Sequence, residues 1–370
     1  MNQAKMCSVR NSKSRDASPT IFYGICGEGL GHYARAAFLI PQLQGQGYQV
    51  EIFTSRRVAD LCEQRLTGCP VHRVPGMRMH YQDNRLHMGK TTWNNLNSIF
   101  QGPGAFRLFR KRARVNRPFC IISDYEPLAS ITGNVMRIPV IAFDHQQIAT
   151  ECRIDWGPVS QFNRGVYHFS NLTTYPHPTV RIISSFFHPP LKKPTAHNIL
   201  IEPILRPEIL AAEPIAGDHI LVYQTSSTMG SLKQVLETLP GTKKVYGAKT
   251  EGAGQEAKPF DEQEFVKDLA RCRFVVVNGG HTTLSEAFYL GKPVICFPVR
   301  DQAEQEINGH YVARLGYGIS YQLDDVKGLP DFSVFLAQEE SFRRNVMSNG
   351  RRCGNSELVS FVLKYLDSVR

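Results

Sequence analysis

Three short runs of this chain combine glycine with hydroxyl, histidine, amide and carboxylate side chains at spacings that suit phosphate and sugar chemistry. In the densest, Phe274-Val275-Val276-Val277 stops at Asn278-Gly279-Gly280-His281-Thr282-Thr283, and Leu284-Ser285-Glu286-Ala287 continues at once as a helix. A buried strand that ends on glycine and hands over to a helix N-terminus presents backbone N–H groups to an anion. Glu286 falls about one helical turn inside, where its carboxylate reaches two vicinal hydroxyls such as those of a ribose. Asp301-Gln302-Ala303-Glu304-Gln305-Glu306-Ile307-Asn308 then supplies hydrogen-bonding groups suited to a sugar, with Gln302, Glu304, Gln305 and Asn308 dividing between sugar hydroxyls and helix capping. Upstream, an apolar run ends in Gln224-Thr225-Ser226-Ser227-Thr228, where Ser226 and Ser227 can donate to a phosphate from side chain and backbone together. The third run, Cys26-Gly27-Glu28-Gly29-Leu30-Gly31-His32, has a glycine pattern like a dinucleotide fingerprint, which by itself is a weak signal.

The order of strand, Gly-Gly turn, Ser-Glu-Ala, Gly291-Lys292-Pro293 and amide-rich cluster over residues 274–308 resembles the nucleotide-sugar site of GT-B glycosyltransferases. Within them it is most similar to the branch of the lipid II-forming N-acetylglucosaminyltransferase and the plant galactolipid synthases. The resemblance implies an α/β GT-B fold, two Rossmann-like doubly wound domains facing a central cleft. It assigns donor contacts to Ser226, Ser227, Gly279, Gly280, His281, Thr282 and Thr283, with His281 as a hydrogen-bond donor to the diphosphate and Glu286 as the ribose ligand. It also implies that the turn closed by His32 lines the acceptor side, with Gly29 and Gly31, instead of binding a dinucleotide.

That branch inverts the anomeric centre by direct displacement without a bound metal, so no metal or cofactor is expected and the nucleotide-sugar, UDP-linked by resemblance, is a co-substrate. Such a step needs a general base at the acceptor hydroxyl. His32 is the first choice, since an imidazole titrates near the working pH, and Asp124 either orients it or acts as base itself. A histidine after a glycine turn can also merely bond backbone or phosphate. Asp144 and His145 stand where the lipid II enzyme carries a His-Glu-Gln-Asn segment, and are acceptor-side candidates without an assigned role.

The elements that must position these groups follow from period and punctuation. Residues 20–25, 49–54, 119–123, 139–143, 219–223 and 244–246 read as buried strands, and residues 33–44, 231–239 and 261–270 as helices. Charged and amide residues close two of those strands, at Asp124 and at Asp144-His145, where open α/β sheets keep their chemistry. Residues 75–105 carry no clear period and read as a long loop with short helices. The resulting plan is a disordered start over 1–18, an acceptor domain over 19–205, a proline-rich hinge over 206–217, a donor domain over 218–352, and a helix over 353–370 that crosses back to the first half.

At 370 residues the chain exceeds what one core normally fills, which agrees with two domains. Nine scattered cysteines suggest neither a disulfide framework nor a zinc site. Without a membrane-length apolar run or a signal-like N-terminus, the expected location is cytoplasmic, with peripheral attachment to the inner face of the membrane as an option. The net charge of +10 favours anionic partners. Arg107, Arg110, Lys111, Arg112, Arg114 and Arg117 form either a docking face for anionic lipid or nucleic acid, or simply a solvated helix face. The expected activity is sugar transfer to a lipid-linked or glycan acceptor, membrane-associated or anionic. The alternatives are a DNA glycosyltransferase, a UDP-GlcNAc 2-epimerase on the same fold, and a non-catalytic sensor.

Overall fold

A computed structural model describes residues 18–224, 229–247, 252, 254–322 and 331–370. The first half alternates β1 (Thr20–Ile25), α1 (Leu30–Gly45), β2 (Gln49–Thr54), α2 (Arg56–Arg65) and β3 (Val71–Arg73). A small antiparallel hairpin, β4 (Tyr81–Gln82) and β5 (Arg85–Leu86), leads into the long α3 (Met88–Asn116). There follow β6 (Cys120–Asp124), α4 (Pro127–Met136), β7 (Val140–Asp144), α5 (Ile148–Glu151), α6 (Gln161–Thr174), β8 (Val180–Ser184) and β9 (Asn198–Ile201). The sheet runs β3-β2-β1-β6-β7-β8-β9 with every pair parallel. Helices cover both faces, so Ile21, Phe22, Tyr23, Ile121 and Ile122 are fully buried, as continuous apolar runs in parallel strands require. Strand order reverses between β1 and β6, where Ile25 pairs with Asp124.

The second half repeats the plan after α7 (Pro207–Ala211): β10 (Ile220–Tyr223), α8 (Met229–Thr238), β11 (Lys243–Tyr246), β12 (Gln255–Lys258), α9 (Glu262–Arg271), β13 (Val275–Val277), α10 (His281–Tyr289), β14 (Val294–Cys296), α11 (Ala303–Arg314) and β15 (Gly318–Ser320). Its parallel order is β12-β11-β10-β13-β14-β15, with the reversal between β10 and β13. Two doubly wound sheets facing a cleft are the GT-B arrangement. After α12 (Ser333–Ser348), the last helix α13 (Asn355–Val369) buries Leu358, Val362, Tyr365 and Leu366 against the core of the first sheet. Asn355 pins the two chain crossings together. Its amide donates to Leu205 O at 2.7 Å and accepts from Leu205 N at 2.9 Å.

Residues 75–105 differ from expectation. Instead of a loop with short helices, a hairpin precedes one helix that runs unbroken from Met88 through Gly102, Pro103 and Gly104. Its C-terminal part is held by Ala105, Phe109 and Ala113 on the sheet, where Phe109 stacks on Phe53 at 3.9 Å. Its N-terminal part is anchored by polar groups: Asn95 brackets Arg78 through both backbone atoms, and Thr91 Oγ1 accepts from His80 N. Anchors of this kind leave no apolar period for a sequence to display.

The basic stretch lies on this helix, but not as one free surface. Arg107, Arg110, Lys111, Arg114 and Arg117 are exposed. Arg112 is instead bound to the buried Glu51, which also takes hydrogen bonds from His72 and Asn116. Burial would raise the Glu51 pKa, yet these partners outweigh it and pull it down to about 2. Among the described residues, no helix is long and apolar enough to cross a membrane.

Candidate functional site

The loop after β1 turns through Gly29, whose φ of 86° is costly for any residue with a Cβ. Helix α1 then starts with His32 and Arg35 one turn apart on the same face, aimed at the C-terminal end of β6. His32 Nδ1 lies 2.6 Å from Asp124 Oδ1. Arg35 donates through Nε to Asp124 Oδ2 at 2.8 Å and through Nη2 to Oδ1 at 2.7 Å. All three side chains are buried, Asp124 completely. Burial pushes the Asp124 carboxyl upward, but the Arg35 charge and then His32 overcome it and hold its pKa below 3.8. An ionised carboxylate only accepts, so Nδ1 of His32 donates to Asp124, and in the neutral imidazole the lone pair is then on Nε2; Arg35 Nη2 also lies 2.9 Å from Nδ1. Asp124 thus orients the ring, with its two oxygens taking three hydrogen bonds from His32 and Arg35.

The opposite wall is the β13–α10 turn. Gly279 N donates to Gln305 Oε1 at 3.1 Å, Val299 N donates to the same oxygen at 3.0 Å, and Asn308 Nδ2 donates to Gly279 O at 2.9 Å. A Cβ on Gly279 would stand 2.4 Å from Gln305 O. Gln305 and Asn308 therefore brace the turn through its backbone, and Asn308 also reaches His145 of the first half at 2.9 Å. The first bond of α10 is Leu284 N to Gly280 O. The N–H groups of His281, Thr282 and Thr283 accordingly have no acceptor within the helix, and its dipole favours an anion in front of them. Across the cleft, Gly31 approaches so closely that a Cβ there would lie 2.5 Å from Thr282 Oγ1. Two helix N-termini, each at the strand-order reversal of its own sheet, meet face to face. Such a reversal is where open α/β sheets bind ligands.

Residues 19–338 match the family model described as glycosyl transferase family 1. The chain belongs to that family. An uncharacterized glycosyltransferase of Methanosarcina mazei is 24% identical over 332 residues, covering 80% of this chain and 83% of the relative. One of Methanosarcina acetivorans is 26% identical over 327 residues, 80% and 81% of the two chains. Among solved structures, Phytolacca americana UGT2 bound to UDP-2-fluoroglucose and pterostilbene superposes with a TM-score of 0.65 at 12% identity, over 94% of this chain and 99% of that one. The glycotransferase of kitacinnamycin gives 0.63 at 15%, and Acinetobacter baumannii MurG 0.60 at 14%, each over 94% of this chain and 99% of the other. These values share one fold among transferases of diverse acceptors, and the lipid II branch does not stand out.

In this glycosyltransferase the other expected residues fall as follows. Both Glu286 oxygens accept from the hinge residue Arg206, at 2.7 Å from Nε and 2.7 Å from Nη2, and Arg206 also binds Glu262 at 2.8 Å. Arg206 thus orients the Glu286 carboxylate, whose oxygens keep further lone pairs. The His281 ring stacks between His145, 3.9 Å away, and Phe186, 5.7 Å away. Burial lowers its pKa well below 6.5, so the ring is neutral and the charge of an anion falls to the backbone N–H groups. His145 bridges the halves, with Nδ1 donating to Ser184 O and Nε2 lying 2.9 Å from Asn308 Oδ1, and burial depresses its pKa to about 4. Asp144 receives Gln147 N at 3.0 Å, and Glu304 receives Gln146 Nε2 at 3.0 Å. Gln302 sits at the N-cap of α11 but makes no side-chain cap bond. Ser226 and Ser227 lie outside the described residues. Among those described, no group of three or more His, Cys, Asp or Glu could hold a metal ion.

Sequence reasoning missed Arg35 and Arg206. Arg35 is the one permanently charged residue of α1, one turn after His32, and that isolation is a usable signal. Arg206 sits in a proline-rich hinge, where nothing in the pattern announces a partner 80 residues away.

Proposed function

We propose that the chain is an inverting, metal-independent glycosyltransferase that moves a sugar from a UDP-linked donor to a lipid-linked or glycan hydroxyl. The observation that supports this reading is the opposition of α1, which carries His32 on Asp124, and α10, whose N-terminus meets α1 where Gly31 faces Thr282. The donor diphosphate rests on the N–H groups of His281, Thr282 and Thr283, with Ser226 and Ser227 as further donors and the ribose on Glu286. The acceptor oxygen attacks the anomeric carbon from the side opposite the diphosphate, and the carbon–oxygen bond to the diphosphate breaks. His32 Nε2 takes the acceptor proton, Asp124 stabilises the resulting imidazolium, and Arg35 holds Asp124 in place. Helix dipole and donors take the charge of the leaving diphosphate.

Replacing Glu286 by Gln removes a charge-assisted acceptor worth about 1.5–3 kcal/mol, so UDP affinity is expected to fall roughly 10- to 150-fold. Calorimetric titration with UDP, GDP and TDP checks this, and an unchanged affinity for the preferred nucleotide removes Glu286 from the site.

The exposed cations of α3 support docking on an anionic membrane, the surface on which a lipid-linked acceptor is presented. Helix α3 contains no Asp or Glu to oppose them. Substituting Arg110, Lys111 and Arg114 by Gln is expected to abolish flotation with anionic liposomes while sparing turnover on a soluble acceptor. Arg112 is left intact because its loss would strip Glu51 of a partner. Retention on DNA that disappears in this variant, without liposome binding by the unaltered protein, would favour a nucleic-acid acceptor.

A further inference from the structure

Next to His32 the closed cleft buries a set of polar groups that the transfer step does not use. The Tyr125 ring lies parallel to His32 at 6.3 Å. Asp144, fully buried at the end of β7, binds Gln147 through Oδ1 and faces the Tyr175 hydroxyl. Gln146 is 7% exposed, and its amide nitrogen reaches across the cleft to Glu304 while its oxygen is unpartnered. The Tyr167 hydroxyl is likewise buried without a partner. These groups belong to one place: Glu304 senses the charges of His32, Arg35 and Asp144, and Tyr167 those of Glu304 and Asp144. The nearest cation, Arg35, is committed to Asp124.

We propose that these side chains form the acceptor subsite, and that the acceptor group seated there is a neutral or amine-bearing polyhydroxyl ring, a sugar or amino sugar. This rests on the transferase reading. Each candidate class can be weighed against the groups present. Hydroxyls or an ammonium would donate to Asp144 and to the Gln146 oxygen and pair with the Tyr167 hydroxyl. A flat aromatic aglycone would leave those buried atoms unpaired, each at a cost of about 1–3 kcal/mol. A ring bearing phosphate or carboxylate beside His32 would meet Asp144 and Glu304, two carboxyl groups whose neighbouring cation, Arg35, is committed to Asp124. Burial already raises the pKa of both, and another anion would raise it further. On this inference the seated acceptor group is itself not anionic: the exposed cations lie on α3, and Asp144 and Glu304 make the subsite acidic.

The test supplies the full-length protein with radiolabelled UDP-glucose, UDP-galactose or UDP-N-acetylglucosamine, together with aqueous and organic extracts of cells that carry the gene. The labelled product is isolated, and the residue bearing the new sugar is identified by mass spectrometry. Attachment to a hydroxyl of a neutral or amine-bearing sugar or polyol is expected. The Gln146→Leu/Tyr167→Phe variant should then raise the acceptor KM roughly tenfold to a hundredfold with much less change in kcat. Attachment to a phenol, a nucleobase or a ring carrying phosphate or carboxylate overturns the inference and leaves the transferase standing. An unchanged acceptor KM in the double variant overturns the assignment of the subsite. Label recovered only as donor or free sugar overturns the transferase reading, and the inference with it.

Discussion

Replacing His32 by Ala is expected to lower turnover by roughly 10²–10⁴ while leaving donor affinity nearly intact. A general base acts on the proton that moves in the transition state, and contributes little to a nucleotide held on the opposite helix. The two effects are separable because His32 belongs to α1 and the proposed diphosphate site to α10. Initial rates and UDP titration on the same preparation check it. Turnover that persists while affinity drops would make His32 a phosphate ligand. Asp124, still held by Arg35 through both oxygens, would then be the next candidate base.

The second large effect concerns stability. Asp124→Leu leaves the Arg35 guanidinium buried without its counter-charge, and the removal of one partner from a buried ion pair costs about 3–5 kcal/mol. Arg35→Leu is expected to cost a similar amount by stranding Asp124. The double variant should recover much of the loss, because no unpaired charge remains. It should stay inactive, since nothing then fixes the His32 tautomer. Urea unfolding of the four proteins at pH 7 measures the coupling, and additive losses would contradict it. The pH dependence has a definite sign. Asp124 has a folded pKa below its ordinary 3.8, so its contribution is complete above about pH 4 and is lost as pH falls through the folded value. The advantage of the unaltered protein over the double variant should therefore shrink below pH 4.

Much of the fold was legible because parallel strands buried on both faces leave continuous apolar runs punctuated by glycine. Phe274 to Val277 before Gly279-Gly280 is such a run, and the structure places β13 and α10 there. Helix α3 was not legible, because Asn95 and Thr91 hold its first turns through hydrogen bonds to the segment around Arg78 and His80. The site divides along a similar line. Backbone turns can be read locally, whereas Arg35 on Asp124, Arg206 on Glu286, and Asn308 between Gly279 and His145 join residues 29 to 163 positions apart. The amide-rich run after Asp301 illustrates the limit. Its composition suits a sugar, but the fold turns Gln305 and Asn308 toward the backbone of the Gly-Gly turn. A side chain that can hydrogen-bond a ligand can equally satisfy a buried peptide group, and only tertiary placement decides between them.

In the proposed transferase α10 presents its N-terminus to the donor diphosphate while α1 presents His32 to the acceptor. A crystal structure with UDP bound tests it most directly. Diphosphate oxygens are expected within hydrogen-bond distance of the backbone N–H groups of His281, Thr282 and Thr283, and ribose hydroxyls at the Glu286 carboxylate. Diphosphate seated on the Gly27–Gly31 turn at the start of α1, with α10 left untouched, would contradict it.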